Sequence, residues 1–134
     1  MTEIDYINTY IGTPWVKGSD DINNGGLDCW GVVVHSFKEI EGIDLPPIES
    51  RSTCDLDGLS KKHIDGDLYQ EIDDAEDGCI FCCYKDGYMV HIGRILAGKA
   101  VHANGDIGYG SMCAWDVKLL KRIYKELKFY KVNY

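Results

Sequence analysis

Residues 78–104 read G-C-I-F-C-C-Y-K-D-G-Y-M-V-H-I-G-R-I-L-A-G-K-A-V-H-A-N. Three runs rich in apolar residues, 79–84, 89–96 and 100–104, are separated by K-D-G at 85–87 and A-G-K at 97–99. Runs of this length bounded by glycine-containing turns predict antiparallel strands joined by tight hairpins, because glycine supplies the positive φ that such turns demand. The centre of the chain is therefore a β-meander.

Upstream, the pattern changes to that of helices. Val32, Val33, Phe37 and Ile40 recur at core spacing, Asp28 stands where an N-cap belongs and Gly42 where a helix stops, so a helix is expected over 29–41. The stretch 13–28 holds Pro14, Gly18, Gly25, Gly26 and Ser19-Asp20-Asp21 and reads as a loop. Before it, 2–11 reads as a short helix: Thr2 caps it with Asp5 three residues on, Ile4, Ile7 and Ile11 share a face, and Gly12 ends it. Leu45-Pro46-Pro47 breaks the chain, and 49–70 is polar and irregular, with one short helix expected around 56–63 or 68–72. After the strands, 104–111 reads as a glycine-rich turn, 115–127 mixes helical and strand signals, and 129–134 has the bulky alternation of a closing strand. Helices first and strands afterwards define an α+β fold, an antiparallel sheet packed on an N-terminal helix. At 134 residues, the span 1–134 is expected to form one domain.

Twenty-two acidic against 14 basic residues give a formal charge of −8, which leaves no basic footprint for nucleic acid. No apolar run has the length of a membrane span, and the first residues lack the basic and apolar regions of a secretory leader. Neither nucleic acid nor membrane is expected as a partner, and the chain is expected to be made in the cytoplasm. In that compartment its six cysteines are free thiols. Cys79 and Cys82 have a C-x-x-C spacing, with Cys83 alongside, but only Cys54 and His63 offer a loose second ligand pair. No metal and no cofactor are therefore expected, and Cys79, Cys82 and Cys83 read as small hydrophobes of a buried strand.

Cys29 is different. A cysteine in the first turn of a helix meets unpaired N–H groups and the positive end of the helix dipole, both of which favour the thiolate, the nucleophilic form. A cysteine nucleophile needs a base. His91 and His102 lie in consecutive predicted strands joined by one tight turn; if both face the helix start, Cys29, His91 and His102 align as nucleophile, base and orienter. Asn104 is an alternative orienter. His35 within the helix and His63 in the polar middle read as structural, and Asp28 as a cap.

Gly12-Thr13-Pro14-Trp15-Val16-Lys17-Gly18 and Leu27-Asp28-Cys29-Trp30-Gly31-Val32-Val33 resemble the G-x-P-[YW]-x-x-G and D-C-[SW]-G-[LV]-V signatures of NlpC/P60 cysteine peptidases. Asp77-Gly78-Cys79-Ile80-Phe81 resembles the family's D-G-D strand, with Cys79 where the family has aspartate. His91-Ile92-Gly93-Arg94-Ile95 resembles its H-[VI]-G-[IV]-Y strand, and Val101-His102-Ala103 its [IV]-H-A. The resemblance implies a papain-like fold and a cysteine peptidase with Cys29, His91 and His102 catalytic. Trp15, Asp28, Trp30 and Asn104 are implied around the substrate or the oxyanion; Trp15 stands where many members carry a tyrosine. It further implies as substrate the peptide stem of peptidoglycan, commonly the bond between γ-D-glutamate and the following diamino acid. The Trp-containing variants most resemble single-domain members of phage tails and prophages. Other tail proteins are therefore expected as further partners, and the virion or signal-independent export as further locations. Two alternatives use the same residues: a tail-assembly protein with little or no hydrolase activity, and an amidase acting on another amide.

Overall fold

The computed structural model describes residues 1–46, 68–106 and 109–134. Helix α1 spans Glu3–Tyr10 and helix α2 Cys29–Ser36, the latter running on through a π-turn, Phe37–Glu41. The strands are β1 Tyr69–Ile72, β2 Ile80–Lys85, β3 Tyr88–Leu96, β4 Lys99–Asp106, β5 Tyr109–Asp116 and β6 Glu126–Val132, with helix α3, Val117–Ile123, between the last two. They form one antiparallel sheet in the order β1-β6-β2-β3-β4-β5. The expected α+β architecture, a sheet packed against the helix that begins at Cys29, is the one observed.

Local chemistry sets the helix ends. In α1, Thr2 Oγ1 accepts the Asp5 N–H at 3.1 Å while the Asp5 carboxylate accepts the Thr2 N–H at 3.3 Å, a reciprocal capping box. Asp28 Oδ1 accepts the Gly31 N–H at 2.6 Å at the start of α2, and Gly42, at φ 71°, ends the π-turn. The apolar stripe of α2 buries Val32, Val33 and Phe37 against one face of the sheet, where Ile80, Cys82, Ile92, Leu96 and Val101 meet it. Each such side chain contributes about 2 kcal/mol by leaving water. The hairpin turns Asp86-Gly87 and Ala97-Gly98 each carry two consecutive positive φ angles, 53° and 82° in the first and 49° and 74° in the second, the pattern of two-residue type I′ turns.

Four expectations change. The 68–72 segment is not helical: Tyr69–Ile72 is an edge strand paired with β6 from Tyr69↔Val132 to Ile72↔Phe129, and that long-range partner overrides local preference. The alternative helix at 56–63 lies outside the described residues. The glycine-rich 104–111 stretch is largely strand, since β4 and β5 pair from Lys99↔Asp116 to Asp106↔Tyr109. The mixed signals of 115–127 resolve into α3, capped by Asp116 on the Lys118 N–H at 3.0 Å, followed by β6, which starts at Glu126 rather than 129. Finally, α1 buries Tyr6 completely, while Ile4 and Ile11 stay 60% and 46% exposed. The Tyr6 hydroxyl reaches His35 Nδ1 at 2.7 Å, so His35 is a core histidine of the α1–α2 contact.

Arg94 is another buried polar group on the helix face of the sheet. Only 2% exposed, it pairs with Glu41, donates through Nε to the Gly78 carbonyl at 3.1 Å and lies 3.5 Å above the Phe37 ring. Three glycines answer to steric demands: a Cβ on Gly93 would lie 2.4 Å from the Phe81 ring, one on Gly31 2.1 Å from the Ser19 carbonyl oxygen, and Gly26 is the third. Gly93 thus lets Phe81 lie over the sheet, while Gly31 admits the preceding loop. A Cβ on Gly26 would meet the Pro14 carbonyl at 2.0 Å, so this glycine serves a contact within the chain.

Candidate active site

His91 and His102 project from the sheet face opposite to the one covered by α2. Their alternation shows this: Ile92, Leu96 and Val101 pack toward the helices, whereas Phe81, Cys83, Ile95 and Ala100 face α3 through Leu120. The register thus sets both imidazoles together on the face turned away from the body of α2. The helix that Cys29 starts lies against the same two strands. β3 and β4 pair only at Arg94↔Val101, Ile95↔Ala100 and Leu96↔Lys99, so the ladder ends before the histidines, and α2 begins against these two strands. Cys29 itself packs against the cluster that holds Ile80, Cys82 and Ile92. Cys83 is the cross-strand partner of His91, and the Tyr124 ring stacks on His91 at 6.0 Å.

The two imidazoles are joined directly. His91 Nε2 lies 2.6 Å from His102 Nδ1, with the rings nearly perpendicular and 4.8 Å apart. Phe81 meets the edge of His102 on one side and Trp115 does so at 4.4 Å on another, so the orientation of that ring is fixed by packing as well as by hydrogen bonding. Nε2 of His102 is 3.6 Å from Cys113 Sγ, its cross-strand neighbour on β5. With His91 Nε2 engaged by His102, only Nδ1 of His91 remains to meet a thiol.

Burial decides the protonation state. Desolvation pulls His91 down to about 4, and desolvation followed by the charge of His91 pulls His102 down to about 3, so both are neutral near pH 7. His91 is thereby poised as a proton acceptor rather than resting as an imidazolium. Burial also pushes Cys79 up to about 11 and raises Cys82 and Cys83 as well, which keeps these thiols protonated and unreactive.

A stability prediction follows from the same shifts. The unfolded chain takes up these two protons near pH 6.5 and the folded chain only near 4 and 3, so stability is full above pH 6.5 and drains as the pH falls toward 4. At about 1.4 kcal/mol per pKa unit, His91 alone accounts for roughly 3 kcal/mol. Urea unfolding at pH 7 and pH 4.5 is expected to show this loss, and His91→Gln/His102→Gln to flatten it. An unchanged pH slope in the double variant assigns the loss to carboxylates instead.

The other expected site residues fall in several places. Asp28 is 5% exposed and caps α2. The Trp30 side chain is 2% exposed in the core between α2 and the sheet, which leaves only its backbone near the helix start. Trp15 bridges Leu27 and donates its backbone N–H to the Gly110 carbonyl at 3.1 Å, so the donor this residue still offers is its indole. Asn104 pairs with Ser111 on β5; its side chain, like Cys54 and His63, lies outside the described residues. Sequence reasoning missed Tyr124, Trp115 and Cys113, whose positions around the imidazoles depend on β5 and α3, and it placed Phe81 in its strand without placing it against His102. Among the described residues no group of three or more His, Cys, Asp or Glu side chains is arranged for a metal, and no helix is long and apolar enough to cross a membrane.

A cleft of about 400 Å³ opens beside Tyr124, lined by Tyr84, Val90 and Ile123 with the charged Lys85, Lys125 and Glu126 at its rim. A separate cavity of about 290 Å³ beside Arg94 and Glu41 touches neither imidazole.

This arrangement, a helix beginning at a cysteine against an antiparallel sheet that carries two linked histidines, is the papain-like architecture of NlpC/P60 domains. The chain is similar in structure to the NlpC/p60 domain of the peptidoglycan hydrolase SagA, with a TM-score of 0.62 and 19% identity over 99% of this chain and 97% of that one. No family model and no curated protein matches its sequence.

Proposed function

We propose that the protein is a cysteine endopeptidase that hydrolyses amide bonds in peptidoglycan stem peptides, at the γ-D-glutamyl–diamino acid bond, through Cys29, His91 and His102. The observation that carries this reading is the 2.6 Å contact between His91 and His102, in a chain whose fold, with a helix starting at Cys29, is similar to that of a peptidoglycan hydrolase domain.

His91 Nδ1 takes the Cys29 thiol proton as sulfur attacks the carbonyl carbon, and His102 holds the imidazole in place through Nε2. The N–H at the start of α2 faces the developing oxyanion, aided by the helix dipole; one such donor typically contributes about 3 kcal/mol. His91 then returns the proton to the leaving amine, and water, activated by the same imidazole, hydrolyses the thioester. The cleft beside Tyr124 offers apolar walls and charges of both signs, which suits a short peptide bearing carboxylates and an amine. The fold of the SagA domain supports the hydrolase over a purely structural role in a phage tail.

Purified peptidoglycan from several bacteria, digested with the protein and with Cys29→Ala, tests the reading by mass spectrometry. The expected result is release of peptides with new amino termini on the diamino acid, absent with the variant. No release from any wall by folded, thiol-reactive protein would sink the cell-wall assignment and bring forward another amide substrate or a structural role.

A further inference from the structure

We infer that Cys113 is a positioning residue that sets the tautomer of His102 and, through it, leaves the proton-accepting nitrogen of His91 open toward Cys29. The inference rests on the catalytic reading above.

One proton lies in the 2.6 Å contact between His91 Nε2 and His102 Nδ1, and it can belong to either ring. If it sits on His102 Nδ1, His91 must carry its own proton on Nδ1 and has no lone pair for the thiol. If it sits on His91 Nε2, then His91 Nδ1 is bare and can act as base. His102 in this second case carries its proton on Nε2, where it needs an acceptor.

Cys113 is that acceptor. Its sulfur lies 3.6 Å from His102 Nε2 and also 3.6 Å from the His102 carbonyl oxygen. Donation of the thiol proton to that carbonyl turns the sulfur lone pairs toward His102 Nε2–H. A directed relay results: Cys113 S–H to the His102 carbonyl, His102 Nε2–H to Cys113 sulfur, and His91 Nε2–H to His102 Nδ1. In the other tautomer the thiol would donate to His102 Nε2 and leave its contact with the His102 carbonyl unused, so the pair of contacts on the sulfur favours the tautomer competent for catalysis. The β4–β5 register, His102↔Cys113, places the two side chains together, and His102 is fully buried, so solvent does not supply the missing acceptor.

Long-range ¹H–¹⁵N correlation spectra of the histidine rings at pH 7.5, assigned with His91→Gln and His102→Gln, read the tautomers directly. In the native protein His102 is expected to be protonated at Nε2 and His91 at Nε2. In Cys113→Ala the His102 proton is expected to shift toward Nδ1, and kcat on a stem peptide to fall about tenfold with KM unchanged, the scale of one lost hydrogen bond. Cys113→Ser, whose hydroxyl accepts and donates in the same directions, is expected to restore both. Native His102 protonated at Nδ1, or native tautomers retained in Cys113→Ala, overturns the inference. Because the spectra need no turnover, the expected tautomers in a protein without peptidase activity would sink the peptidase reading and leave the relay standing.

Discussion

Substituting Cys29 by alanine is expected to lower kcat on a stem peptide by about 10⁴-fold or more while leaving the thermal midpoint within a few degrees of the parent. Its side chain is only partly buried, so the variant opens no sizeable cavity. His91→Ala is expected to match that loss, because a thiol without a base stays protonated near pH 7. His102→Ala is expected to lose less, since it removes an orienting contact and leaves nucleophile and base in place. The three losses should not add: Cys29→Ala/His91→Ala is expected to be no worse than either single change, as befits groups that act as one unit. Steady-state kinetics on a purified stem peptide decide the matter. Activity within tenfold of the parent in Cys29→Ala would remove Cys29 from the mechanism, and additive losses would show that the residues work separately.

Arg94→Ala is expected to destabilise the fold by about 3–5 kcal/mol, the largest stability effect of any single change considered, because it strands a partly buried carboxylate and empties a packed site at once. Arg94 touches Glu41, Ser36, Gly78 and Phe37, and so ties α2 and its π-turn to β3 and to the loop before β2. Paired removal should cost much less than single removal. Arg94→Met/Glu41→Leu keeps the volume and leaves no charge without its partner, and is expected to recover most of the loss. Urea unfolding of the four proteins of this cycle yields the coupling. A loss below about 1 kcal/mol in Arg94→Ala would mean that water replaces the guanidinium without difficulty.

The fold and the candidate site differ in how far they can be read from the chain. The helix from Cys29 and the strands carrying His91 and His102 are legible because their caps, periods and glycine turns are local. β1 and β5 are not. Tyr69–Ile72 is a strand only because β6 lies beside it, and the glycines at 105, 108 and 110 mask a ladder that β4 imposes. Everything that depends on those long-range pairings was hidden with them: Cys113 next to His102, Trp115 at its edge and Tyr124 on His91. Arg94 was hidden differently. Within a strand motif a charged residue reads as solvent-facing, and only the approach of Glu41, far away in sequence, explains why it is buried.

The position of β6 carries a consequence for biogenesis. This strand, 126–132, is made after all the others, yet it sits inside the sheet between β1 and β2. A nascent chain that has emerged only as far as α3 can close the hairpins of β2 to β5, but β1 has nothing to pair with and β2 presents a naked hydrogen-bonding edge. Synthesis thus leaves an open seam until the final strand slides into it, an interval in which another chain's strand could take its place. The order in which the ribosome delivers the strands makes the emergence of β6 the moment at which this domain is committed to its own fold or to a neighbour's.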